Sequence, residues 1–123
     1  MKAEVLIERG KDGLFWLRTN INDSLIVASG ETLASAKSDF AEAFELATET
    51  PIDTAEITYK HDTASALEEL SFINMAALAK IVGINASLMS QYKKGQYISS
   101  AQASKIEAGI HQLGQRMVAF SFA

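Results

Sequence analysis

Apolar and polar residues alternate from the start of the chain. Ala3, Val5 and Ile7 fall on one side of an extended backbone and Lys2, Glu4 and Glu8 on the other, with only Leu6 out of step. A period of two is the mark of a half-buried strand. Gly10-Lys11-Asp12-Gly13 supplies turn residues for a hairpin into a second strand over Leu14–Thr19, which carries Phe15, Trp16 and Leu17. Asn20-Ile21-Asn22-Asp23 is a polar turn, and Ser24–Ser29, with Leu25, Ile26 and Val27, is a third strand. The period then lengthens. After Gly30, Thr32 suits a helix N-cap, and Leu33, Ala36, Phe40, Ala43, Phe44 and Ala47 recur every three or four residues. The opposite face carries Lys37, Asp39, Glu42, Glu45 and Glu49, and Pro51 stops the helix. Ala55, Ile57 and Tyr59 alternate with Glu56, Thr58 and Lys60 in a fourth strand. Residues 1–62 therefore predict a β-β-β-α-β unit of the α+β class.

The rest of the chain reads as helix. Thr63 caps a short helix with Leu67 and Leu70 inward, and Asn74 caps Met75–Val82. Asn85 or Ala86 starts a helix to Lys94, and Ser99 or Ser100 caps a longer one to about Leu113. Residues 63–116 form this all-helical unit. In residues 117–123, Val118, Phe120 and Phe122 alternate with Ala119 and Ser121, which predicts a short terminal strand. Too small to bury itself, it is expected to pair with the first sheet or with another subunit, as an oligomer contact.

Composition adds little: 48% hydrophobic and 21% charged residues in 123 describe an ordinary folded chain. Charge adds more. Residues 1–71 hold 6 Lys/Arg against 14 Asp/Glu, a net of −8; residues 72–123 hold 5 against Glu107 alone, a net of +4. The overall −4 conceals an acidic half joined to a basic one, which suggests different partners for the two.

The basic half contains Met75-Ala76-Ala77-Leu78-Ala79-Lys80-Ile81-Val82-Gly83-Ile84-Asn85-Ala86-Ser87-Leu88-Met89-Ser90-Gln91-Tyr92-Lys93-Lys94-Gly95. Ala79 is small where a second helix crosses above it. Gly83 stands in the turn, where a left-handed backbone costs other residues about 1 kcal/mol or more. Leu78, Val82, Ile84, Met89 and Tyr92 supply an apolar seam, and Gly95 ends the second helix. The segment resembles the helix-turn-helix of lambda-repressor-like (Xre-type) regulators. The plainer reading is a helical hairpin with a glycine in its turn.

That resemblance implies that the second helix enters the major groove of DNA amino end first. Ala86, Ser87, Ser90 and Gln91 then face outward, with Gln91 suited to reading adenine through its amide and the serines to bases or phosphate. Lys93, Lys94 and Lys80 would hold phosphates, although Lys93 and Lys94 also read as a solvated helix end favoured by the helix dipole. A net of +4 is modest, so a homodimer or higher homo-oligomer on half-sites about 34 Å apart is expected.

The strand-helix layout of the acidic half, with Val27-Ala28-Ser29-Gly30-Glu31-Thr32-Leu33-Ala34-Ser35-Ala36 at the third strand and helix start, resembles the HicB antitoxin family. Its members join a partial ribonuclease-H-like domain to a DNA-binding domain. The resemblance implies the antitoxin of a type II toxin-antitoxin pair: a first domain that holds a small ribonuclease toxin, and a second that binds operator DNA and represses its own operon. An acidic first half suits a basic toxin, because complementary charge speeds association, although acidic faces also serve solubility alone. A stand-alone transcriptional regulator, whose first domain oligomerises or binds a small ligand, is the alternative; a pure protein adaptor is a third.

Enzymatic readings find less. Glu4 and Glu8 share a strand face, and Glu42, Glu45 and Asp53 would have to approach them to hold metal ions; if Val5 and Ile7 pack on the helix, Glu4 and Glu8 point away from it. There is no Cys, and His61 and His111 stand fifty residues apart with no acidic cluster at ligand spacing. No catalytic residue, metal or cofactor is expected. The start of the chain, Met1-Lys2-Ala3-Glu4, has no apolar leader, no apolar run approaches spanning length, and the expectation is a cytoplasmic protein.

Overall fold

A computed structural model describes all residues, Met1–Ala123, as an α+β protein with a four-stranded mixed sheet and five α-helices. The strands are β1 (Lys2–Arg9), β2 (Phe15–Ile21), β3 (Ser24–Gly30) and β4 (Glu56–His61), in the order β3-β2-β1-β4. The β1–β2 and β2–β3 pairs are antiparallel; β4 lies parallel to β1, with Val5 opposite Tyr59 and Ile7 opposite His61. The turn between β2 and β3 is shorter than the sequence suggests. β2 runs on to Ile21, and Asn22 and Asp23 alone turn the chain, at φ 51° and 63°. Two positive angles fit the two-residue hairpin turn that matches strand twist, and Asn and Asp tolerate them best after glycine.

Helix α1 (Leu33–Thr48) crosses one face of this sheet. Thr32 caps it, accepting from the Ser35 amide while the Ser35 hydroxyl receives the Thr32 amide. Val5, Ile7, Phe15, Leu17 and Ile26 from the strands and Ala36, Phe40 and Phe44 from α1 form an eight-residue core. Ala47, which the periodicity turns inward, is exposed: the core has ended by the last turn, where Leu46 also stands 85% exposed. A 3-10 turn over Ile52–Thr54 leads into β4.

Only Asp62 separates β4 from α2 (Thr63–Glu69). It is Asp62, rather than Thr63, that caps α2, accepting from the Ser65 amide at 2.9 Å. Thr63 is the first helical residue, with helical backbone angles that leave its side chain no orphan amide to reach. Then come α3 (Met75–Val82), α4 (Ala86–Lys93) and α5 (Ser100–Val118), capped by Asn74, Asn85 and Ser99. Leu67, Leu78, Ala79, Val82, Ile84, Met89, Tyr92 and Ile106 form a second core of eight. Gly109 sits in the middle of α5 because α5 passes close to α3: a Cβ there would stand 2.6 Å from Val82 Cγ2.

The end of the chain corrects the sequence reading. α5 continues past Leu113 to Val118, and residues 119–123 form no strand. The alternation of Val118, Phe120 and Phe122 has no sheet edge beside it, and a strand without a partner leaves its backbone groups unpaired. The helix meanwhile gains a backbone bond at each added residue.

The two cores are stitched together at the junction. The Ser65 hydroxyl, fully buried, donates to the Ile7 carbonyl at 2.9 Å and lies 3.2 Å from His61 Nδ1. The Arg9 amide donates to the Asp62 carboxylate at 3.0 Å, and its guanidinium donates to the Lys93 carbonyl at the end of α4, at 2.8 Å. That guanidinium also lies 5.1 Å from the Phe15 ring centroid and 3.9 Å from Glu68. Burial holds the His61 imidazole below its ordinary pKa, assisted by Lys37 and opposed by Glu69 and Asp62.

Candidate nucleic-acid interface

α3 and α4 are joined by three residues. Gly83 ends α3 at φ 79°, and the Gly83 and Ile84 amides both return to the Ala79 carbonyl, at 2.8 and 2.9 Å. Ala79, 1% exposed, lies in the seam with Leu78, Val82, Ile84, Met89 and Tyr92, so the spacing read from the sequence is the spacing that packs. Asn85 then starts α4, its side chain accepting from the Ser87 amide at 2.8 Å. At the other end Gly95 takes φ 94°; its amide bonds to the Tyr92 carbonyl and that of Gln96 to Gln91, the paired bonds of a Schellman cap.

With Met89 and Tyr92 inward, the opposite side of α4 is polar and open. Ala86, Ser87, Ser90, Gln91 and Lys94 are all exposed. The five share one face, since residues one turn apart along a helix project together. None of their side chains bonds within the chain, so their hydrogen-bonding groups are free for something outside it. Lys93 is placed differently. Its side chain is 29% exposed and its ammonium stands 4.0 Å from Glu68, so it helps tie α4 to α2.

The cation that spacing did not reveal here is Lys105. Its ammonium would lie 3.7 Å from a Cβ at Gly83, over the turn between α3 and α4. Lys80, Lys94 and Lys105 are exposed and pair with no carboxylate. Lys94 on the polar face of α4 and Lys105 over the turn before it are thus unneutralised, which is the electrostatic condition for holding phosphates.

The acidic residues of the first half do not converge. The sheet separates Glu4 and Glu8 from α1, which carries Glu42 and Glu45; Glu4 lies 3.7 Å from Lys60 and Glu8 3.0 Å from Arg18. Nowhere do three or more His, Asp or Glu side chains gather as metal ligands. The face holding Glu4 and Glu8 is uncovered, and it exposes Trp16, Val27 and Leu25 beside the charged pairs. No helix is long and apolar enough to cross a membrane.

Compared with protein-family models, curated proteins and solved structures, the chain has no match.

Proposed function

We propose that this chain is a sequence-specific DNA-binding protein, the antitoxin of a type II toxin-antitoxin pair, acting by binding rather than catalysis. The observation that carries the DNA-binding part is the exposed, unbonded polar face of α4, with the unpaired cations Lys94 on it, Lys105 over the preceding turn and Lys80 on α3. On this reading Gln91 reads a base through its amide, Ser87 and Ser90 contact bases or phosphate, and Ala86 allows the helix to approach closely. Lys94, Lys80 and Lys105 hold phosphates, while Lys93 contributes less because Glu68 already engages it.

The antitoxin part rests on the layout of the acidic half and its resemblance to HicB proteins. The surface offered to a small basic ribonuclease is the uncovered sheet face: Trp16, Val27 and Leu25 provide apolar anchors, beside the ion pairs Glu4–Lys60 and Glu8–Arg18. The net −8 of residues 1–71 would draw a basic partner toward this half of the molecule.

The test is fluorescence anisotropy of the protein on the DNA upstream of its own gene, with a shuffled duplex and a salt series as controls. Gln91→Ala should cost about 1–3 kcal/mol on the upstream site and little on the shuffled duplex. Lys94→Ala should weaken both and lower the salt slope by about one. Equal losses on both duplexes for Gln91→Ala would remove base reading from α4, and no binding by the intact protein at low salt would remove the DNA-binding reading.

A further inference from the structure

We propose that a second copy of this chain packs antiparallel along α5, crossing at Gly114, and seats Phe120 and Phe122 in a groove between β4, α2 and α5. The inference deepens the proposed function by naming the contact that would make the dimer, and it does not depend on DNA binding.

Gly114 lies within α5, four residues before its end, where glycine costs up to about 1 kcal/mol against alanine. Gly109 has a reason in Val82; Gly114 has none within the chain, because a Cβ there would meet nothing within 4 Å. It stands between Ile110 and Val118 on one helix face, and these residues line a shallow groove along α5 with His111 and Gln115. A residue without a side chain at the centre of such a face lets a second helix backbone approach closely.

Beyond Gly114 the chain keeps its apolar side chains in water. Met117 is 55% exposed, Val118 86%, Phe120 76% and Phe122 98%. Each phenylalanine can bury roughly 150–250 Å². A two-fold pair covers two such tails and two receiving grooves, which brings the total to roughly the 1,200 Å² at which stable interfaces begin.

The register selects the receiving surface. Antiparallel pairing about Gly114 sets Val118 opposite Ile110 of the second copy, because both lie four residues from the centre. Phe120 and Phe122, past the end of the helix at Val118, continue in the same direction toward the part of α5 that precedes Ile110 in the second copy. Ala103, Ile106, Glu107, Ile110 and His111 are the α5 wall of a second groove, of about 570 Å³, whose other walls include Tyr59 and Leu70. The apolar tail of one copy therefore ends at the apolar opening of the other, and the contact is self-complementary, as a closed two-fold requires.

The chain has no Cys, so an introduced one reports unambiguously. The experiment is sedimentation equilibrium of the full chain, without DNA, combined with mild oxidation of Gly114→Cys. Expected are a dimer of twice 13.3 kDa and rapid cross-linking of Gly114→Cys, but not of Ser38→Cys on the exposed side of α1. Phe120→Ser with Phe122→Ser should raise the dimer dissociation constant about tenfold or more and abolish the cross-link. These two side chains are exposed, so unchanged circular dichroism should accompany the loss. A monomer at all concentrations, or a dimer that keeps its affinity without both phenylalanines and does not cross-link at 114, overturns the proposal. A dimer that ignores DNA would overturn the DNA-binding reading and leave this one standing; a monomer that binds DNA would do the reverse.

Discussion

The sheet half and the helical half each pack a core cluster of eight hydrophobic side chains, yet they differ in what they leave outside. The sheet half covers one face with α1 and leaves the other open, with Trp16, Val27 and Leu25 exposed among the ion pairs Glu4–Lys60 and Glu8–Arg18. The helical half encloses its core and turns outward the polar face of α4 and the apolar end of α5. The core clusters of the two halves are thus equal in number and say where the chain folds. Their possible work is distinguished by the exposed residue: charge and anchors on one side, hydrogen-bonding side chains and cations on the other.

The sharpest way to break this comparison is to damage one core and watch both. Phe40→Ala should cost about 3–5 kcal/mol, as large-to-small changes in a closed core do. Trp16, the single tryptophan, reports the sheet half by fluorescence, and far-ultraviolet circular dichroism reports chiefly the helices. The junction bonds predict that both signals move to the same lower denaturant midpoint. A helical signal that loses only the share of α1 at the fluorescence midpoint and keeps the rest to a higher one would make the halves independent.

A smaller effect is expected from Arg9→Ala, about 1.5–3 kcal/mol, because a partly buried charged donor leaves the Lys93 carbonyl without its partner. Its informative consequence is separation of the two transitions that coincide in the intact chain. Transitions that stay superimposed would show that Ser65 and Asp62 suffice to hold the halves together.

The smallest effect concerns pH. Burial lowers the folded-state pKa of His61 below 6.5, so the unfolded chain binds the proton more readily. Stability from this group is therefore full above pH 6.5 and declines as the pH falls from there toward the lowered value. His61→Gln should flatten the melting temperature over that window relative to the intact protein. Parallel curves would show that His61 is as readily protonated folded as unfolded.

Much of this architecture is legible from local chemistry. The alternation of Val5 and Ile7, the caps Thr32, Asn74, Asn85 and Ser99, and the left-handed Gly83 each depend on neighbours a few residues away. The face of α4 was legible for the same reason, since Met89 and Tyr92 fix which side is inward. Features set by distant residues were not. The Val118–Phe122 alternation resembles a strand, but strands require an edge, and only the folded chain shows that none is beside it. Arg9 is one more charge in a strand until the fold brings it to Lys93, 84 residues on. Lys93 reads as a free helix-end cation until Glu68 stands beside it.

The single residue between β4 and α2 bears on inheritance as well as on stability. Modules are exchanged between proteins where a length of indifferent chain can be cut and rejoined. Here the cut would fall on Asp62, which caps the helix ahead of it and accepts from the strand residue Arg9 behind it. A recombinant that kept α3 and α4 but took another sheet would arrive with a frayed α2 and an unanswered carbonyl at Lys93. The two halves are therefore expected to descend as a pair, and a graft of the helical half should carry β1 and β4 with it.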